Sequence, residues 1–99
     1  EAQYAMRLEI RDLLDAARRK AAALESELEA GIADVDRRES VEDAIAQLVT
    51  ADGTYMRPGL ISQINYLYRM LGQADQEPGA EATMRLATLR SRFEPLAEL

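Results

Sequence analysis

Carboxylates are the plentiful reactive groups in this chain, which carries eighteen Asp and Glu against twelve Lys and Arg. Glu25 and Glu29 stand four apart, as do Glu39 and Asp43, a spacing that places each pair on one side of a helix. Such pairs bind a cation or divide acid and base roles only when burial or a cleft takes them out of water. Otherwise they form a solvated face, the simpler reading of both. Di-iron bundles also require Glu-x-x-His pairs, and the sequence holds no histidine and no cysteine. Imidazole bases, thiolate nucleophiles, disulfides, and zinc or haem sites of the usual ligand types are therefore excluded. No metal or other cofactor is expected.

The remaining candidate groups are sparse. Ser26, Ser40, Ser62 and Ser91 lie in no nucleophile-elbow pattern, and no histidine is present to activate one, so hydrolysis by a triad within this chain is excluded. Five scattered glycines make no phosphate loop. The one basic run, Arg18-Arg19-Lys20, is spread about 100° per residue around a helix and flanked by Asp15 and Glu25, so it forms no phosphate patch. A net charge of −6 repels nucleic acid and anionic membranes alike. Tyr4, Tyr55, Tyr66 and Tyr68 suit packing with the hydroxyl reaching water better than they suit a ligand surface.

The elements that carry these groups are helical. Ninety-nine residues allow one domain with one modest core, spanning 1–99. Leu14, Ala17, Ala21, Leu24, Leu28, Gly31 and Val35 alternate steps of three and four, and Met6, Ile10 and Leu13 extend the stripe backwards, predicting one amphipathic helix from about Gln3 to about Ala33, roughly 45 Å long. Ala17 and Ala21 invite close approach of a neighbour, and Gly31 is a weak point or end signal. The charged stretch Asp34 to Glu39 has no apolar period and is expected to be a turn. Ser40 then caps a short helix over Val41 to Thr50, with Asp43 completing a weak capping box. Ala51 to Arg57, with Asp52-Gly53, is expected to be loop.

Pro58 suits the first position of a third helix, whose apolar set Leu60, Ile61, Ile64, Leu67, Tyr68 and Leu71 marks it as the central, most buried element, ending near Ala74. Tyr66 and Met70 sit on its flank. Ala82, Leu86, Leu89, Phe93 and Leu96 predict a fourth helix from about Pro78 to Arg92, kinked or ended by Pro95. The expected fold is all-α, an up-and-down antiparallel helical bundle of three long helices and one short helix. No apolar run is long enough to span a bilayer and no signal-peptide pattern is present, so no membrane insertion is expected. The chain begins at Glu1 rather than a methionine, and a piece excised from a longer protein is expected.

The run Arg57-Pro58-Gly59-Leu60-Ile61-Ser62-Gln63-Ile64-Asn65-Tyr66-Leu67-Tyr68, followed by Ala74-Asp75-Gln76-Glu77-Pro78-Gly79-Ala80-Glu81-Ala82, Arg85 and Leu89, resembles the C-terminal helical segment of bacterial sortilin-like proteins. These are secreted β-propeller proteins with BNR-type repeats, often labelled glycosyl hydrolases. In that family a helix ending in Leu-Tyr leads into an Ala-Asp-Gln-x-Pro-Gly turn, then an acidic-Ala pair and an arginine. Thr83 and Leu86 stand where the family often has aromatic residues, and Glu81 stands for its more usual aspartate.

On residue chemistry the motif Asp75, Gln76, Pro78, Gly79 and Arg85 is structural: Asp75 caps the fourth helix or pairs with Arg85, Pro78 sets its entry angle and Gly79 permits close backbone contact. The resemblance implies a non-catalytic accessory bundle. Its partner would be the parent propeller domain or another protein, and the parent would be secreted or periplasmic. The alternative is an autonomous homodimeric module that uses part of the Leu14 to Val35 seam between chains.

Overall fold

A computed structural model of the protein describes residues 2–49, 59–73 and 79–99. They form four helices, α1 (Ala2–Ala30), α2 (Val35–Leu48), α3 (Leu60–Gln73) and α4 (Ala80–Ala97), and no strand occurs among them. The expected loop Ala51 to Arg57, Pro58 at a helix start, the helix end at Ala74, and Tyr55 lie outside the described residues, as do Asp75, Gln76 and Pro78.

Helix α1 is the spine. Its 29 residues rise about 43 Å at 1.5 Å each, most of the molecule's 50 Å length. The predicted stripe is the buried one: Ile10, Leu13, Leu14, Ala17, Ala21 and Leu24 all lie in the core. The helix stops at Ala30, three residues short of expectation, because Gly31 takes φ +96°, a left-handed conformation that other residues adopt only under strain. Its N–H closes the end by donating to Leu28 O at 3.1 Å. Val35, the last member of the expected stripe, is 59% exposed.

Helix α2 starts six residues earlier than expected. Asp34, in extended conformation (φ −76°, ψ 117°), is the cap, its Oδ1 accepting the Asp36 N–H at 3.0 Å. Ser40 lies inside the helix and caps nothing at its start. The charged stretch from Asp34 to Glu39 is therefore the cap and first turns of a helix, not a turn between helices. It shows no apolar period because these turns face water; burial begins at Val41 and continues through Ala44 and Leu48. The helix ends at Leu48, with Val49 N–H donating to Ile45 O.

Helix α3 buries Leu60, Ile64, Leu67 and Leu71, while Ile61 and Tyr68 are half-buried. Tyr66 and Met70 are 57% and 50% exposed, so its central place in the core is shared with α1. Helix α4 buries Leu86, Leu89, Phe93 and Leu96 as the spacing predicts, with Ala82 partly buried. It does not stop at Arg92. Pro95 sits inside the helix at an exposed position, where it removes one backbone hydrogen bond to Ser91, while burial of Phe93 and Leu96 holds the last turn on the core.

Long-range contacts show how the other three helices share α1. Arg37, in the first turn of α2, meets Glu27 near the end of α1, whereas Tyr68 of α3 meets Arg7 near its start. Helix α2 thus lies along the C-terminal part of α1 and α3 along the N-terminal part. Helix α4 packs on both α1 and α3, with Arg90 reaching Glu9 and Arg92 reaching Gln63. No helix among the described residues is long and apolar enough to cross a membrane.

Candidate functional site

The structure leaves the carboxylate pairs in solvent. Glu25, Glu29, Glu39 and Asp43 are all exposed, and no three acidic side chains gather in a metal-binding geometry among the described residues. Asp43 accepts a hydrogen bond from Gln47 Nε2, one turn along α2, at 3.0 Å. Ser26, Ser40, Ser62 and Ser91 are exposed, and so are Arg18 and Arg19, with Lys20 half-buried. Among the described residues no polar or charged residue is buried.

Of the expected structural motif, Gly79 and Arg85 are described. Gly79 is the N-cap of α4 in extended conformation (φ −81°, ψ 174°), and its carbonyl accepts from Thr83 N–H at 3.3 Å. A Cβ added there meets nothing within 4 Å, so the close backbone approach expected of this glycine is not found. Arg85 is exposed on α4.

Three features escape sequence reading. Arg37 donates through Nε and Nη2 to both carboxylate oxygens of Glu27, at 2.7 and 2.8 Å, and through Nη2 to the Leu99 backbone oxygen at 2.9 Å. One guanidinium so joins the end of α1, the start of α2 and the segment after α4. The hydrogen bond from Arg37 holds the Glu27 carboxyl below its ordinary pKa, and the same bond raises Arg37. Secondly, the Arg7 guanidinium lies 5.1 Å from the centroid of the Tyr68 ring, a cation–π contact, with its Nε buried and without a hydrogen-bond partner. Local spacing gives no signal for either, since each joins residues on different helices.

The third feature is a groove of about 420 Å³ between α2, α3 and α4. Leu60, Pro95 and Leu96 make it apolar, while Gln47, Gln63 and Arg92 supply polar groups. It is open rather than enclosed, and the residues that line it include no carboxylate. Among known families, curated proteins and solved structures, none matches the chain. The likeness of 57–90 to sortilin-like proteins accordingly rests on the quoted residues alone.

Proposed function

We propose that the chain is a non-catalytic helical accessory unit of an exported, sortilin-like propeller protein, acting in interdomain packing, assembly or partner docking. The observation that supports this reading is the dispersal of its reactive groups: Glu25, Glu29, Glu39 and Asp43 all face solvent, and the groove offers apolar, amide and guanidinium contacts. The residues that carry the resemblance fall on two packed helices, Leu67 and Tyr68 on α3, and Glu81, Ala82 and Arg85 on α4. In this reading the helices keep an up-and-down order in outline. The parent would be secreted or periplasmic, with its propeller as the first partner.

A glycosidase and peptidase screen of the purified chain tests the role. No turnover is expected. Turnover that disappears on changing Glu25, Glu29 or Asp75 would overturn the non-catalytic reading. The gene upstream of this segment tests the parentage, since propeller repeats preceded by a signal peptide are expected there, and their absence from a complete reading frame would remove the sortilin-like assignment.

A further inference from the structure

The groove separates two surfaces of opposite charge. On one side, α2 exposes Asp36 and Asp43, seven residues apart and so on one face, with Asp43 bonded to Gln47 on the rim. On the other side, α4 exposes Arg85 and Arg92, also seven apart, with Arg92 on the opposite rim. Arg92 Nη1 donates to Gln63 Oε1 at 3.3 Å, so the flank of α3 that carries Gln63 faces α4. Tyr66 and Met70 lie three and seven residues further along that same flank, 57% and 50% exposed. The surface thus runs from an acidic rim on α2, across an apolar groove, to the basic Arg92 rim on α4 and the exposed aromatic and thioether groups of α3, Glu81 offsetting Arg85 further along α4.

A chain of net charge −6 repels its own copies unless complementary surfaces meet. Here both complements lie on one face with the groove between them, so a two-fold axis through the groove brings each onto the other, as a self-complementary interface requires. The Leu14 to Leu24 stretch of the α1 seam is not free for self-association, since Leu14, Ala17, Ala21 and Leu24 are buried within the chain. We propose that a second copy of the chain docks across this groove in a two-fold dimer, setting Asp43 of each subunit against Arg92 of the other and covering Tyr66 and Met70. The dimer is independent of the accessory role, and either can fail without the other.

Sedimentation velocity on the full chain, from low micromolar to near-millimolar concentration, tests it. The expected result is a reversible dimer that weakens at high salt, because exposed charge pairs are screened. Arg92→Asp and Asp43→Arg each place like charges together twice per dimer and should weaken association by about tenfold or more. Mixed in equal amounts, the two variants restore both pairs and should form a heterodimer. Recovery on mixing can come only from contact between chains, so it also separates loss of association from loss of folding. A wild-type monomer throughout the range would overturn the proposal, and so would a mixture that stays as weak as its components. Dimerisation of either variant alone at wild-type strength would do the same.

Discussion

At the scale of single residues, the contact that most depends on solution conditions is Glu27 with Arg37. Both side chains keep about a third of their surface in water, 36% and 31%, so the pair is screened and its contribution is small despite its two-pronged geometry. Its sign with pH is nevertheless fixed. The Arg37 hydrogen bond lowers the folded-state pKa of Glu27, so the stabilisation is present above the unfolded value, about 4.3, and is lost as pH falls through the lower folded value. Glu27→Gln should therefore lower the thermal midpoint slightly at neutral pH, and the gap to wild type should close at about pH 2, below the carboxylate range. A gap that stays constant between the two would show that the charge of Glu27 contributes nothing. Sequence could not reveal this pair: ten residues and a glycine-ended helix separate its members, and their meeting depends on the path of the chain through Gly31.

At the scale of elements, the start of α2 is where local signals competed. Asp34 and Ser40 are both good N-cap residues, and apolar periodicity beginning at Val41 favoured Ser40. The structure selects Asp34, since six further residues can lie on the helix with every side chain but that of Arg37 exposed and still be held by the Asp34 cap and the Arg37 contact. Asp34→Ala should accordingly destabilise by about 0.5 to 2 kcal/mol, whereas Ser40→Ala, at an exposed interior position, should be neutral or slightly stabilising because alanine is the better helix former. Urea melts of the two variants distinguish the caps, and the opposite ranking would place the helix start at Ser40. From Ile10 to Leu24 in α1 and from Leu86 to Leu96 in α4, spacing named the buried residues correctly, but it also named Gly31 and Val35, which are exposed. It failed at Pro95, where burial of Phe93 and Leu96 outweighs the local cost of a proline on the exposed side. The exposure of the acidic pairs was legible in their spacing and surroundings. The groove was not, because it is made by three helices whose relative placement no local pattern encodes.

At the scale of the whole molecule, one continuous core draws on all four helices. Ile64 of α3 is completely buried, as are Ile10 of α1 and Val41 and Leu48 of α2, and α1 touches each of the other helices. Helix α2 covers one part of α1 and α3 another, so two melting units could arise only if the core divided between them. The unbroken run from Ile10 to Leu24 along α1 opposes that division, because unfolding either partner strips apolar surface from the same spine. Ile64→Ala should therefore cost about 2 to 5 kcal/mol and shift one cooperative transition rather than create a second. Far-UV circular dichroism reports all four helices, and amide hydrogen exchange reports α2 separately. In wild type and variant alike, the slow amides of α2 and α3 should exchange with the same opening free energy, and that shared value should fall with the substitution. If α3 amides lose protection in the variant while those of α2 keep theirs, the core is two units laid along one helix, and the α2 segment folds on α1 without the rest.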